Sequence, residues 1–257
     1  MPMRSAGNMD QWVERRIGTA APRLRLFCFP YAGGGASIYR TWPDDLPRDV
    51  EVCAIQLPGR ERRLSEPPLR SLQKAVEILV GVMRPYLDLP FALFGHSMGA
   101  LLAYEVARLT RTTSRMEPQR LFVSGHRAPY MPSRKRNLHD LPHEEVIAEV
   151  KALNGTPAEV FEHEDLVDLI MPMLRGDLEL VETYSHPDGP LLSCPIIAMG
   201  GTRDPDVLAD ELAGWRSVTS GSFKTMLFDG DHFYLNSARS SLLQAVQREL
   251  TTAAGRG

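Results

Sequence analysis

The segment around Ser97 constrains the fold of this chain more than any other stretch of its sequence. Gly95-His96-Ser97-Met98-Gly99 follows the apolar run 91–94 and precedes a segment rich in alanine. A glycine two residues before and two residues after the serine lets a strand and a helix approach closely on either side of a tight turn. The pattern therefore predicts a strand, a strained turn that presents Ser97 as a nucleophile, and a helix.

Other apolar runs of strand length recur along the chain, bounded by Gly, Pro or Ser. Segments with helical periodicity alternate with most of them, and examples are residues 72–87, 99–110 and 235–250. This alternation predicts an α/β fold with a mostly parallel sheet that helices cover on both faces. The predicted strands are residues 24–29, 50–55, 91–94, 121–123, 195–199 and 223–228.

The interval from 125 to 194 breaks this rhythm, because it is far longer than a crossover requires and holds no convincing strand. Thr156-Pro157-Ala158-Glu159 has the pattern of a helix start. We therefore predict one domain over residues 1–257, with a helical lid inserted at 130–185. Met171 and Met173 are candidates to line an apolar channel under the lid, and the alternative is that they only pack the insertion onto the sheet.

Composition excludes several other classes of protein. The 257 residues are 43% hydrophobic and 24% charged with a net charge of −3, which excludes a disordered chain and argues against a general nucleic-acid binder. No apolar run approaches the roughly 18 residues of a membrane span. Residues 1–20 are predicted to be a mobile leader without the apolar core of a signal peptide. Three cysteines form no disulfide framework, and we expect a cytoplasmic protein.

A serine nucleophile needs a base, which a carboxylate in turn orients. In a fold of this kind the acid and the histidine follow the serine in chain order. Asp204 and Asp206 come after the strand 195–199, and His232, the only histidine beyond them, comes after the last strand. We favour Asp204, because Asp206 is predicted to begin a helix. The strand at 121–123 is followed by no carboxylate that could take this role.

The other histidines have weaker claims to a chemical role. His96 is predicted to be a structural neighbour of the nucleophile. His139 and His143 have the i,i+4 spacing of metal ligands, but Pro142 lies between them and no third ligand is evident. We therefore predict no metal site.

An oxyanion requires two preorganised backbone donors. The amide of Met98, directly after the serine, is one. The other is expected from the glycine-rich loop that follows the first long strand, either at Ala32, which we favour, or at Tyr31. A dinucleotide-binding loop is excluded because Ile38 stands where G-x-G-x-x-G needs glycine, and a P-loop lacks its G-K-[ST].

Taken together, five motifs resemble those of the type II thioesterases, the stand-alone α/β-hydrolase editing enzymes of polyketide and non-ribosomal peptide synthases. The resemblance runs from about residue 22 to about residue 250. It implies an α/β-hydrolase fold, the triad Ser97, Asp204 and His232, and an oxyanion hole at Met98 and Ala32. It also implies that the substrate and lid region includes Tyr31, Met171 and Met173. The motifs are Phe29-Pro30-Tyr31-Ala32-Gly33-Gly34, Gln56-Leu57-Pro58-Gly59-Arg60-Glu61, Gly95-His96-Ser97-Met98-Gly99, Gly201-Thr202-Arg203-Asp204 and Gly230-Asp231-His232-Phe233.

The same resemblance implies the substrate, an acyl thioester on the phosphopantetheine arm of an acyl or peptidyl carrier protein. No cofactor is expected beyond that arm, and we expect a monomer. Carrier proteins are usually acidic, so a basic docking face is expected, either Arg60, Arg62, Arg63 and Arg70 or Arg134-Lys135-Arg136. His126 stands where the family pattern has arginine, which puts a carrier-contacting role at that position in doubt.

Four other readings stay open at this point. The same triad serves a general carboxylesterase or lipase acting on free esters, and it serves an acyltransferase that delivers the acyl group to an alcohol or amine. A non-catalytic binding protein is disfavoured because all three triad residues and the glycine loop are present. A thioesterase domain integrated in a large synthase is disfavoured because the chain has no room for a carrier domain.

Overall fold

The computed structural model describes residues 11–16, 21–152 and 162–253. Its centre is a seven-stranded sheet in the order β1-β3-β2-β4-β5-β6-β7. Only β1 runs antiparallel, along β3, and every other neighbouring pair is parallel. The strands are β1 (Val13–Arg16), β2 (Leu24–Phe29), β3 (Val50–Ile55), β4 (Phe91–His96), β5 (Leu121–Ser124), β6 (Ile196–Gly201) and β7 (Phe223–Phe228).

Helices connect these strands and cover the sheet. The α-helices are α1 (Leu72–Met83), α2 (Met98–Ser114), α3 (His143–Ala152), α4 (Glu164–Glu182), α5 (Ala209–Ala213), α6 (Tyr234–Ser237) and α7 (Arg239–Ala253). Short 3-10 helices lie at Ala36–Tyr39, Trp42–Asp44, Glu61–Arg63, Arg84–Tyr86 and Gly214–Val218. None of the helices in the described part of the chain is long and apolar enough to cross a membrane.

The sheet is buried on both faces because its central strands are apolar at nearly every position. Every residue of β2 through β6 is buried. Alternate side chains of β2 enter two different cores: Phe27 and Phe29 join the core under α1 and α2, whereas Leu26 and Cys28 join the core under α7. The predicted α/β fold, its six strands and its α/β-hydrolase class are confirmed.

Strand β1 corrects the prediction that residues 1–20 are only a mobile leader. Val13–Arg16 pairs with β3, and the backbone amide of Gln56 donates to the carbonyl of Trp12 at 2.8 Å. Three of the four residues of β1 are charged, and Arg15 pairs with Glu51 on β3 at 2.7 Å. The strand therefore depends on a partner distant in sequence, and nothing in its own composition indicates it.

The insertion between β5 and β6 is helical, and its described residues hold no strand. Helices α3 and α4 face each other through a small apolar cluster of their own, which includes Val146, Val150 and Met171. This burial places Met171 in the packing of the insertion. The predicted helix start at Thr156 lies outside the described residues.

All three cysteines are buried thiols in the interior. Burial raises the pKa of Cys28 well above its ordinary value, and it raises those of Cys53 and Cys194 to about 12. The thiolate, which is the reactive form, is therefore strongly suppressed at each position.

Candidate active site

Ser97 lies on a strained turn between β4 and α2, as the sequence predicts. Its backbone has φ 53° and ψ −118°, a conformation that costs a non-glycine residue on the order of 1–3 kcal/mol. The surrounding fold holds it there, since the Ser97 amide donates to the carbonyl of Ser124 at 2.7 Å. The glycines are sterically required: a Cβ on Gly95 would lie 1.9 Å from the carbonyl oxygen of Gly99, and one on Gly99 would lie 2.1 Å from that of Phe29.

Asp204 and His232 meet at the same edge of the sheet. Asp204 follows β6, His232 follows β7, and carboxyl ends of parallel strands converge there. His232 Nδ1 donates to Asp204 Oδ2 at 2.8 Å, and both side chains are buried. The other Asp204 oxygen accepts the backbone amide of Asp206 at 2.8 Å. The carboxylate is thus oriented by its own loop, which leaves His232 Nε2 for a second partner.

The Asp206 carboxylate pairs with Lys135 at 2.5 Å. The structure therefore brings Asp204, and not Asp206, to His232. The predicted helix start at Asp206 is wrong, because α5 begins at Ala209 with Leu208 as its N-cap. The Glu211 side chain accepts the Leu208 amide at 2.8 Å, which places the start three residues later than the acidic pattern indicated.

One cavity of about 450 Å³ joins the predicted reacting groups. Ser97 and His232 line it, together with Met98 and Ala32, the two residues whose amides are predicted oxyanion donors. One side of the wall beyond them is apolar and comes from α2 and the end of α4, whereas much of the remaining lining is polar or charged. The apolar side includes Leu101, Leu178 and Val181.

The residues predicted to contact substrate beyond this set lie elsewhere. Met171 and Met173 are buried on α4 and do not line the cavity, so the alternative packing role fits Met171. Tyr31 does not line it either, because its ring packs edge-on against Phe233, with centroids 4.9 Å apart, and against His96. The sequence signals for these residues were the position of Tyr31 in the glycine loop and the flexible methionine side chains within the predicted lid.

Behind Ser97, His96 is fully buried in a hydrogen-bonded chain that the sequence did not indicate. Its Nδ1 lies 2.8 Å from Ser124 Oγ, which lies 2.5 Å from the Tyr234 hydroxyl. Burial, with His232 nearby, holds the pKa of His96 well below its usual range. His96 is therefore neutral near pH 7.

His126 lines the cavity with its ring buried. Its Nδ1 lies 2.6 Å from the carbonyl of Arg127, and its own carbonyl accepts the Trp215 indole at 2.8 Å. Burial and the adjacent Arg127 lower the pKa of His126 to about 3. A neutral, buried imidazole thus stands where the family pattern has arginine, so this position supplies no positive charge to a partner.

Two of the four arginines in the first predicted docking cluster are buried and offer no surface to a partner, whereas Arg62 and Arg70 are exposed. Arg60 is buried in an ion pair with Asp177, and Arg63 is buried with its guanidinium 3.7 Å from the ring centroid of Trp12. By contrast, the second cluster lies at the cavity rim with about half of each side chain exposed. Its members are Arg134, Lys135 and Arg136, and each pairs with a carboxylate of this chain.

His139 and His143 do not come together as ligands. His139 Nδ1 lies 2.5 Å from Glu182, and His143 begins α3. Within the ranges that the structure describes, no three His, Cys, Asp or Glu side chains are arranged to hold a metal ion.

Comparison with known proteins decides the family. A model of the thioesterase domain matches residues 24–250, nearly all of the chain. This chain belongs to the thioesterase family. Gramicidin S biosynthesis protein GrsT of Aneurinibacillus migulanus is 40% identical to this thioesterase over 242 residues, which are 94% of each chain. Thioesterase PikA5 of Streptomyces venezuelae is 36% identical over 96% of this chain and 89% of its own.

Solved structures agree with the sequence relatives. The type II thioesterase BorB from the borrelidin biosynthetic cluster superposes on this thioesterase with a TM-score of 0.86 at 36% identity, covering 96% of this chain and all of BorB. YbtT, a type II thioesterase from the yersiniabactin NRPS/PKS pathway, gives 0.83 at 30% identity over 93% and 96% of the two chains. The resemblance to type II thioesterases is confirmed, and membership of the family implies thioester hydrolysis.

Proposed function

We propose that this thioesterase hydrolyses acyl thioesters on the phosphopantetheine arm of acyl or peptidyl carrier proteins. It would thereby remove stalled or aberrant acyl groups from a polyketide or non-ribosomal peptide synthase. The observation that carries the proposal is the 2.8 Å hydrogen bond from His232 to Asp204, at the sheet edge where a strained turn presents Ser97 to the same cavity. The pathway names of BorB and YbtT support the substrate class.

The mechanism follows from these positions. Ser97 Oγ attacks the thioester carbonyl while His232 Nε2 takes its proton, and Asp204 holds the imidazole tautomer and stabilises the imidazolium. The amides of Met98 and Ala32 donate to the oxyanion of the tetrahedral intermediate. The intermediate collapses to an acyl-enzyme, and His232 returns the proton to the departing thiolate. Water, activated by the same histidine, then releases the carboxylic acid and regenerates Ser97. The phosphopantetheine belongs to the substrate, and this chain needs no cofactor of its own.

A comparison of substrates tests this proposal against its nearest alternatives. We expect kcat/KM to be higher for acyl-carrier proteins than for acyl-pantetheine thioesters, and higher for these than for matched oxygen esters. Cleavage of free esters without any carrier hydrolysis would instead indicate a carboxylesterase. An assay with added alcohol or amine reveals an acyltransferase, since an ester or amide product then replaces the acid.

The two aspartates of the loop after β6 give a matched pair of variants. We expect Asp204→Asn to lower kcat by about 10⁴-fold, because an amide in that position favours the wrong tautomer of His232. Asp206→Asn should stay within a few-fold of wild type, since Asp206 only pairs with Lys135. Steady-state kinetics on acyl-pantetheine measures both variants. Equal losses in the two would show that Asp204 has no special role.

The rim residues Arg134, Lys135 and Arg136 are the candidates for carrier docking that lie at the cavity. We expect their triple alanine variant to raise KM for acyl-carrier protein about ten-fold and to leave KM for acyl-pantetheine unchanged, because only the carrier presents an acidic surface to them. The difference should shrink at high salt. A control variant replaces the exposed Arg48, Lys74 and Arg84, which lie away from the cavity and carry the same total charge. Equal effects of the two variants on the carrier substrate would contradict docking at the rim.

A further inference from the structure

A buried ion pair joins the helical insertion to the loop after β3. Asp177 lies on α4 and is 1% exposed, and Arg60 is 4% exposed. The contact is bidentate, with Arg60 Nη1 to Asp177 Oδ2 and Arg60 Nη2 to Asp177 Oδ1 both at 2.7 Å. Two parallel hydrogen bonds fix the relative orientation of the two groups as well as their distance.

The same two side chains also hold the glycine loop that follows β2. The Gly33 amide donates to Asp177 Oδ2 at 2.8 Å, and Arg60 Nη1 donates to the carbonyl of Gly34 at 2.9 Å. The loop itself turns tightly, since the Gly34 amide donates to the carbonyl of Tyr31 at 2.9 Å. Gly33 has φ +82°, as the third residue of a type II turn requires.

The hydrogen bond from the Gly33 amide to Asp177 fixes the orientation of the peptide between Ala32 and Gly33. Type I and type II turns differ in the orientation of their central peptide, which here joins Ala32 to Gly33. An anionic acceptor on the Gly33 amide favours the orientation in which that N–H points at α4. Ala32 is the second residue of this four-residue turn, so the turn type fixes the φ and ψ angles of Ala32. Fixing these angles also fixes the direction in which the Ala32 N–H points.

We propose that Asp177 is a positioning residue. From the insertion helix it fixes the Tyr31–Gly34 turn and so aims the Ala32 amide at the oxyanion, with Arg60 orienting its carboxylate. This inference rests on the proposed function, because it assigns Ala32 to the oxyanion hole of that reaction. It also means that the oxyanion hole can accept the oxyanion only while α4 stays packed against the glycine loop and Arg60.

Holding α4 against the loop after β3 does not by itself explain why Arg60 and Asp177 are charged. Burying two charges is costly, and apolar residues of similar volume commonly replace such pairs without loss of stability. What an apolar pair lacks is an acceptor for the Gly33 amide and a donor for the Gly34 carbonyl. A second ion pair on the same helix, Arg70 with Glu179 at 2.7 Å, is partly exposed and has no hydrogen bond to the turn. This second pair is the natural control.

The test compares two double variants, Arg60→Met with Asp177→Leu and the control Arg70→Met with Glu179→Leu. We expect the first to fold cooperatively and to lower the single-turnover acylation rate by acyl-pantetheine about 10²-fold, with the substrate Kd unchanged. Loss of one oxyanion donor has an effect of this size. The control should acylate at the wild-type rate.

A trifluoromethyl ketone provides the second readout, because Ser97 Oγ adds to its carbonyl carbon, His232 takes the serine proton, and the carbonyl oxygen becomes an alkoxide in the oxyanion hole. Its Ki should rise about 10²-fold in the first variant and stay constant in the control. If the first variant does not fold, Asp177→Asn replaces it. There one amide oxygen must serve both Arg60 and Gly33, so at least a ten-fold rise in Ki is expected.

Wild-type acylation and wild-type Ki in a folded variant would overturn the proposal. Failure of the proposed function would look different, since the wild-type enzyme would then leave acyl-carrier proteins unhydrolysed. The ketone would still report the oxyanion hole through its adduct on Ser97.

Discussion

Ser97→Ala is expected to lower the rate of acyl release from carrier proteins by at least about 10⁴-fold, because no nucleophile then remains to form the acyl-enzyme. Carriers loaded with acetyl, propionyl, butyryl and longer acyl groups are the substrates, and intact-mass spectrometry follows the loss of each group. The wild-type enzyme should strip at least some of these carriers, and its preference among them defines the acyl chain it accepts.

Ser185→Ala is the matched control for this experiment. Ser185 also lines the cavity but lies beyond the end of α4, away from the strained turn. Its variant should stay near the wild-type rate. Undiminished stripping by Ser97→Ala would place the nucleophile elsewhere. If the wild-type enzyme leaves all carriers loaded but cleaves free esters through Ser97, the chemistry stands and the carrier substrate does not.

Gly99→Ala is expected to destabilise the protein by at least about 3 kcal/mol, a large effect for a single methyl group. The added Cβ would lie 2.1 Å from the carbonyl oxygen of Phe29 and 2.8 Å from that of Pro30, and neither backbone group can move without disturbing β2. Helix propensity alone predicts the opposite, since Gly99 lies in the first turn of α2 and alanine favours a helix by about 1 kcal/mol. Urea unfolding with a check on the m-value measures the difference.

Gly81→Ala is the control in which propensity should prevail. Gly81 lies within α1, is exposed, and has open space where a Cβ would be added. We expect this variant to gain about 0.5–1 kcal/mol. A Gly99→Ala protein at least as stable as the wild type would show that the close contact of α2 with β2 is dispensable.

The predictions from sequence succeeded where the signal is local. Strands β2 to β6 are buried on both faces, so their apolar runs are continuous and easily found. The turn at Ser97 was predictable because sterics demand glycine at 95 and 99. The pairing of Asp204 with His232 follows from the order of strands, since each residue comes directly after a parallel strand.

The predictions failed where a residue depends on a partner far along the chain. Arg60 looks like a surface charge until Asp177, 117 residues later, is brought against it. In the same way, Arg63 is buried because Trp12 lies over its guanidinium. The methionines of α4 illustrate a different failure: a flexible methionine packs equally well against substrate or against a neighbouring helix, and the sequence does not show that Met171 joins the apolar cluster of α3 and α4.

The burial of Cys28, Cys53 and Cys194 has a practical consequence for the chemistry proposed here. Each turnover liberates the free thiol of a pantetheine arm. A chromogenic disulfide reagent detects that thiol by exchange, which requires an accessible thiolate to attack the reagent. With all three side chains in the interior and their ionisation suppressed, the enzyme itself offers no such group to the reagent. The reagent should therefore report turnover against a silent protein background.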